Sequence, residues 1–261
     1  MNALDHGSSE GDLWTTLRTS TRARIGLGRA GDALPTSRLL EFRAAHAAAR
    51  DAVHRELDVA ALTQQMEHAN LGSPLIVQSR ACDRGEYLRR PDLGRLPTGL
   101  AHLLASASDI GIVLADGLSA HALEEHGVPA ARAIVDALPR HLSVAQPVIA
   151  TSARVALGDH IGAALDVQTV VVLIGERPGL SFADSLGLYV THHPRPGRSD
   201  SERNCVSNVH PPDGLGYAQA ARVVTSLVDG ARRLGRSGVE LKDTSERVAV
   251  EGADTGRGSG G

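Results

Sequence analysis

The chemistry most clearly aimed by its context lies in Gln168–Asp184 (QTVVVLIGERPGLSFAD). A carboxylate, Glu176, and a guanidinium, Arg177, stand side by side between Gly175 and Gly179. The first only accepts hydrogen bonds and the second only donates them. Ahead of them, Val170–Ile174 is apolar at every position and rich in β-branched residues. Such a run reads as a buried central strand of a mostly parallel sheet. Pro178 has no N–H and biases Arg177 away from helix, so the ladder stops there. The charged pair is thereby delivered to the carboxyl end of a central strand, where open α/β sheets bind ligands.

Other candidates are weaker. Cys205 lies near Arg203, which could lower its pKa, but no base can be assigned to a catalytic thiol. His192-His193 beside Cys205 suggests zinc, yet adjacent histidines diverge on a strand and a third ligand has no source. Asp116-Gly117 is either a ligand-edge carboxylate or a turn closure. Arg89-Arg90 could grip an anion, or belong to a solvated loop or an inter-subunit salt bridge. Asp159-His160, on a helix, reads as solvent-facing. His46, His54 and His68 read as surface or partner-facing, and Cys82 as a buried or half-buried structural thiol. Gly26, Gly28 and Gly31 have the G-x-G-x-x-G spacing, but polar and basic residues precede them and Pro35 follows. A dinucleotide fingerprint needs a strand before and a helix at the third glycine, so this reads as a loop or contact arm. P-loop, H-E-x-x-H and C-x-x-C motifs are absent from the sequence, and no G-x-S-x-G nucleophile elbow, with a strand before the serine, is read in it. No catalytic residue and no metal ligand is therefore assigned. Polar groups at strand ends without a complete catalytic set suit a subunit that supplies part of a site.

The elements that must position these groups follow from periodicity. Helices are expected at Asp12–Leu17 (with Trp14 as a docking anchor), Thr36–Leu57 (capped by Thr36 or Ser37) and Asp58–His68. A strand at Leu75–Val77, a charged loop at Glu86–Leu96 and a helix at Pro97–Ala107 come next. Strand Ile110–Ala115 leads through Asp116-Gly117 to helices Leu118–His126 and Pro129–Leu142. Strand Pro147–Thr151 precedes helix Ala153–Leu165, whose first turn holds Val155. After the central strand come a short helical turn at Ser181–Leu186, a strand at Gly187–Thr191, a long loop from His192 and an edge strand at Cys205–Val209. Helix Gly214–Leu234 shows Ala218, Ala221, Val224, Leu227 and Val228 on one face. The fold class expected is α/β: a Rossmann-like, mostly parallel sheet flanked by helices, with a helical N-terminal segment. Residues 1–11 are expected to be a disordered N-terminus, 12–107 a mainly helical segment, 108–243 the α/β domain and 244–261 a disordered tail.

Composition narrows the function classes. The chain has 261 residues, 42% hydrophobic and 22% charged, at a net charge of −3. Aromatics at 2% leave few stacking platforms for single-stranded nucleic acid, and no basic block marks a duplex footprint. No apolar run approaches the roughly 20 residues a bilayer span requires, and no secretory signal is visible. Two cysteines make no disulfide framework. A cytoplasmic protein without nucleic-acid or membrane partners is expected.

Several segments together resemble the small (light) subunit of ethanolamine ammonia-lyase. They are ARIGLGRAG (Ala23–Gly31), the Leu39–Ala49 helix, EYLRRPDLGR (Glu86–Arg95), ADGLSA (Ala115–Ala120), RVALGDHIG (Arg154–Gly162), LIGERPGLS (Leu173–Ser181) and DSERNCVSN (Asp200–Asn208). They run in order from about Asp12 to about Asp243. The resemblance implies an adenosylcobalamin-dependent lyase whose large subunit, a TIM barrel, carries the substrate site. It implies a hetero-oligomer in which residues 12–107 dock on the large subunit. It also implies the reaction: the cobalt–carbon bond breaks, the adenosyl radical takes hydrogen from ethanolamine, and migration and elimination yield acetaldehyde and ammonia. Family cobalamin contacts fall on Val155, Glu176 and Cys205. With no D-x-H-x-x-G in the sequence, base-on cobalamin is expected. The enzyme is either free in the cytoplasm or inside a bacterial microcompartment, with the short polar N-terminus as a packaging tail in the second case. The alternatives are an NAD-dependent Rossmann-type oxidoreductase and a non-catalytic assembly module.

Overall fold

A computed structural model describes residues 8–245. The expectations for 1–7 and 246–261 lie outside that range. Six strands form one sheet: β1 (Leu75–Gln78), β2 (Ile110–Ala115), β3 (Val148–Thr151), β4 (Thr169–Gly175), β5 (Leu186–His192) and β6 (Asn204–Val209). Their spatial order is β1-β3-β2-β4-β5-β6. The β1–β3, β3–β2 and β2–β4 pairs are parallel, and β5 and β6 add on antiparallel. The parallel character therefore stops at β4, and the sheet is mixed.

β2 and β4 are buried along their whole length, as continuous apolar runs in a two-sided sheet must be. The helices are α1 (Ser8–Thr19), α2 (Thr36–His54), α3 (Val59–His68), α4 (Arg84–Arg89), α5 (Ala120–Ala122), α6 (Val128–Ala137), α7 (Leu157–Ala164) and α8 (Tyr217–Leu234). On one face, Ile112, Leu114, Leu173 and Leu188 pack with Ile134 of α6 and Val224 and Leu227 of α8. On the other, Val113, Ala150, Val170 and Val172 pack with Leu157 and Ile161 of α7. Each fully buried Val or Leu contributes about 1.5–3 kcal/mol. The β2-to-β3 crossover runs over one face and the β3-to-β4 crossover over the other. β3 and β4 flank β2 on opposite sides, so the winding reverses there and a crevice opens at the carboxyl ends of β2 and β4.

Several expected elements are corrected. Residues 97–107 form no helix, because their backbone is used along the edge of β1. Ser79 bridges Pro97, and the Thr98 N–H and hydroxyl both donate to the Gln78 carbonyl at 3.0 Å. The expected loop 86–96 instead holds the end of α4 and a 3-10 turn, Leu93–Arg95. Asp83 caps α4 by accepting from the Glu86 N–H at 2.7 Å. Helices 118–126 and 129–142 are one helical run over 120–137, joined by a π turn, Leu123–Gly127. A proline clashes with the carbonyl four residues back, and a π turn just before Pro129 relieves that clash. Residues 181–185 form no helical turn. Pro35, not Thr36 or Ser37, occupies the N-cap of α2, with no side-chain cap. α1 opens at Ser8, within the segment expected to be unstructured. On α8 the buried face comprises Ala220, Ala221, Val224, Leu227, Val228 and Ala231, and Ala218 is exposed. Cys82 is exposed, and the carboxylates of Glu86 and Asp83 push its thiol up to about 11.

Two buried ion pairs tie helices to the sheet. Arg84 on α4 meets Asp116, just past β2, at 3.3 Å. Asp159 on α7 pairs with Arg203, which also reaches Asp200 at 2.8 Å. The Asp159 carboxylate is thus buried and paired, not solvent-facing. Burial lifts its pKa to about 6 against the pull of Arg203. Asp159→Asn leaves the buried Arg203 with only its Asp200 and backbone partners. It is expected to lower stability by about 3 kcal/mol, read by thermal unfolding as a Tm drop of about 5–10 °C. An unchanged Tm would show that the pair does not brace α7.

Candidate functional site

β2 and β4 end in register, Ala115 beside Ile174. Past that point the two chains nearly touch. A Cβ at Gly117 (φ +54°) would lie 2.2 Å from the Gly175 carbonyl oxygen, and one at Gly175 only 2.0 Å from the Ser119 carbonyl oxygen. Only glycine permits this approach, and at Gly117 only glycine takes the conformation without strain. Beyond the crossing is a cavity of about 410 Å³, lined by Gly117, Arg154, Val155, Glu176, Arg177 and Tyr189 among others.

Glu176 is half-buried and held from two strands. Its N–H donates to the Ser185 carbonyl at 2.9 Å. Its Oε2 accepts from the Ser185 hydroxyl at 2.7 Å and from the Asn208 N–H at 3.3 Å. Its Oε1 faces Gly187, where an added Cβ would lie 3.2 Å away. One carboxylate oxygen is therefore anchored while the other remains an acceptor in the cavity wall.

Val155 sits half-buried in the turn between β3 and α7, two residues before the helix starts. The Arg154 N–H, donating to the Gly94 carbonyl at 2.8 Å, fixes that turn. Tyr87 supports it from below: its hydroxyl donates to the Ala153 carbonyl at 3.0 Å, and the Arg154 guanidinium lies 4.8 Å from its ring centroid. Asp116 completes the support by accepting from the Ser152 and Ala153 N–H groups, both at 2.8 Å. Burial pushes the Asp116 carboxyl up, against the Ala153 amide, Arg84 and the Ser152 amide. Asp116 is thus a buried brace, not a ligand-edge group.

The structure brings Val155 and Glu176 to one cavity, and Cys205 adjoins it through Tyr189. Cys205 on β6 pairs with Tyr189 on β5, which pairs with Val172 of β4. It therefore stands level with the middle of the sheet, not at a strand end. The expected Arg203 effect is absent, since Arg203 is engaged by Asp159 and Asp200. The Cys205 thiol is instead pushed up by desolvation and by the charge of Glu176, with a hydrogen bond from Tyr189 opposing. His192 lies at the opposite end of the sheet, paired with Thr169, whose hydroxyl is 2.7 Å from its Nδ1. Among the described residues no group of three or more His, Cys, Asp or Glu could hold a metal. Gly26–Gly31 follows no strand, and Gly26 packs against Trp14 of its own chain. Arg90 is engaged by Asp92 at 2.7 Å. Tyr87, Arg154, Ser185 and Tyr189 were not singled out from the sequence. The one available signal was that a chain with three tyrosines spends two of them here.

The geometry is that of a mixed α/β chain with a ligand-sized cavity at its strand ends, walled by scattered polar groups. Sequence comparison makes this specific. The family profile described as ethanolamine ammonia-lyase light chain matches residues 11–242. The ethanolamine ammonia-lyase small subunit of Rhodococcus erythropolis is 62% identical over 239 residues, covering 92% of this chain and 93% of that protein. The small subunit of Ralstonia nicotianae is 48% identical over 247 residues, 91% of each chain. That of Azotobacter vinelandii is 45% identical over 264 residues, 98% and 97% of the two chains. The chain belongs to the ethanolamine ammonia-lyase small-subunit family and is a subunit of an ammonia-lyase.

The Cys205 surroundings give a pH prediction. In a Cys82→Ser background, Cys205 alkylation should rise only above the ordinary thiol range, because its folded pKa is raised. Glu176→Gln removes a neighbouring negative charge and should shift that rise to lower pH. Tyr189→Phe removes the opposing hydrogen bond and should shift it higher. Rates of iodoacetamide labelling against pH measure all three, and an unshifted Glu176→Gln profile would refute the coupling.

Proposed function

We propose that this chain helps to hold and enclose adenosylcobalamin in a two-subunit ethanolamine ammonia-lyase that converts ethanolamine to acetaldehyde and ammonia. The observation that carries the reading is the carboxylate of Glu176, fixed through one oxygen and open through the other, in a cavity that also presents Val155. The corrin edge bears amide side chains with N–H donors, and a fixed carboxylate oxygen accepts them. The absence of a side chain at Gly187 gives Glu176 and Tyr189 room to pack there, which helps to fix the carboxylate. Val155 offers an apolar wall and backbone groups. Cys205, with its thiol kept protonated, offers a soft, uncharged contact. These residues would fit the cofactor's periphery, and none of them is a histidine that could replace the nucleotide base on cobalt, in keeping with base-on binding. When bound, adenosylcobalamin supplies radical chemistry that side chains lack, while the protein orients and encloses.

The other half of the cavity is open in this chain, and a large subunit, expected to be a TIM barrel carrying the substrate site, would close it. α2 buries none of its residues, and Leu13, Trp14, Leu17, Leu40 and Phe42 are exposed. That apolar surface is available to the partner subunit. No helix among the described residues is long and apolar enough to cross a membrane. The same enzyme could work in the cytoplasm or within a microcompartment.

Activity should appear only when this chain, a large subunit and adenosylcobalamin are combined. Glu176→Ala should weaken cobalamin binding by the complex about tenfold, the loss of one charge-assisted hydrogen bond. Equilibrium dialysis against cyanocobalamin reads this directly. Unchanged affinity would favour a non-catalytic assembly module, and a histidine-ligated cobalamin spectrum would contradict base-on binding.

A further inference from the structure

His126 lies in the π turn Leu123–Gly127, whose Leu123 packs into the core on the α6 and α8 side of the sheet. It lines no part of the Glu176 cavity. It is only 5% exposed. Its Nδ1 is 2.8 Å from the hydroxyl of Tyr217, at the start of α8. Its Nε2 is buried and has no hydrogen-bond partner. A buried polar atom left unpaired is uncommon and calls for a reason. Facing it is the Asp184 carboxylate, with Oδ2 at 3.7 Å, near enough to feel the charge and too far for a hydrogen bond. Among the described residues no arginine or lysine pairs with Asp184.

Asp184 belongs to residues 176–185, which carry no helix or strand between β4 and β5, and none of which is fully buried. The segment is pinned at separate points. The Ser119 hydroxyl donates to the Ala183 carbonyl at 2.8 Å, and Arg24 donates to the Leu180 carbonyl at 3.0 Å. Phe182 lies against His210, with ring centroids 4.4 Å apart. A segment held in this way can take the small step to hydrogen-bond distance, about 0.5–1 Å.

Charge decides when that step is favourable. A protonated imidazole carries an N–H on both nitrogens. Nδ1–H then donates to the Tyr217 oxygen, and Nε2–H is aimed at a carboxylate of opposite charge. The groups around the ring come from every neighbouring element: Asp184 from the β4–β5 segment, Glu125 from the same turn, His210 from the β6–α8 connection, and Tyr217 from α8. Desolvation holds the His126 pKa below the ordinary histidine value, Asp184 and Glu125 pull it up, and His210 pushes it down. The coupling is reciprocal: a carboxylate that raises the pKa by approaching is itself drawn in by protonation.

We propose that His126 is a protonation-dependent latch for residues 176–185: neutral, it leaves Asp184 at a distance, and protonated it draws Asp184 into a charge-assisted hydrogen bond and closes the segment onto the π turn. Ser185, the next residue, donates to the Glu176 carboxylate at 2.7 Å, so His126 is a positioning residue for that group at one remove. The latch operates whatever ligand the Glu176 cavity takes.

The test uses the complex of this chain with its large subunit, as wild type, His126→Gln and Asp184→Asn, from about pH 4.5 to about pH 8. Exchange of the histidine C2–H, followed by mass spectrometry, gives the His126 midpoint. Amide exchange of peptides spanning 176–185, corrected for its intrinsic pH dependence, gives the closure. In the wild type the midpoint should lie below the ordinary histidine value. Segment exchange should slow by about two- to fivefold as pH falls through it, the effect of one partly exposed ion pair. Asp184→Asn should lower the midpoint and abolish the slowing, and His126→Gln should abolish the slowing as well. Asp184→Asn changes a partly exposed side chain and decides the matter if His126→Gln fails to fold. Segment exchange that ignores the wild-type midpoint, or that slows equally in Asp184→Asn, would overturn the proposal. So would a His126 midpoint unmoved by Asp184→Asn, or no His126 titration in that range.

Discussion

The carboxylate of Asp116 is the constraint on which this architecture rests. It is buried where β2 ends and takes hydrogen bonds from the amides of Ser152 and Ala153, where β3 ends. It also pairs with Arg84, which in turn donates to the carbonyls of Gly117 and Val53. One side chain therefore joins the ends of two parallel strands, a short helix and the end of α2. Desolvation disfavours a charge there, and the convergent donors offset it. The Arg154–Val155 side of the cavity hangs from this junction, since both residues directly follow the braced Ser152 and Ala153.

A second consequence is a division of roles among charged groups of similar type. Arg84 and Arg203 are buried and neutralised, and they hold helices against the sheet. Arg154 and Arg177 are left facing concave surface. The same contrast separates the carboxylates: Asp116 and Asp159 are consumed inside, while Glu176 keeps an oxygen open. Buried pairs add little net stability, but each costs several kcal/mol if broken, so they are effective at keeping one geometry.

Incompleteness also has a physical basis. The switch point between β2 and β4 gives a cavity floor and one wall, and the antiparallel addition of β5 and β6 extends that wall through Tyr189 and Cys205. No element of the described chain covers the opposite side. A site open in this way leaves a large ligand partly solvated, and a second polypeptide is the natural means of excluding water from it.

Much was legible in the sequence. The apolar runs Ile110–Ala115 and Val170–Ile174 determined the central strands, because side chains apolar on both faces have no other stable place. Pro178 and the glycines around Glu176 determined where the strand stops, and the segments matching the family determined what kind of subunit this is. Only the tertiary structure decided the antiparallel β5 and β6, the continuous helix through Pro129 and the level of Cys205. Strand direction, register and a π turn depend on partners remote in the chain, which local periodicity does not encode. The same reason hid the roles of Asp116, Asp159 and Arg154. A charged side chain looks alike in sequence whether its counter-charge lies 32 residues away, as for Asp116 and Arg84, or 44 away, as for Asp159 and Arg203. Folding alone settles which charges are spent inside and which are left to meet a ligand.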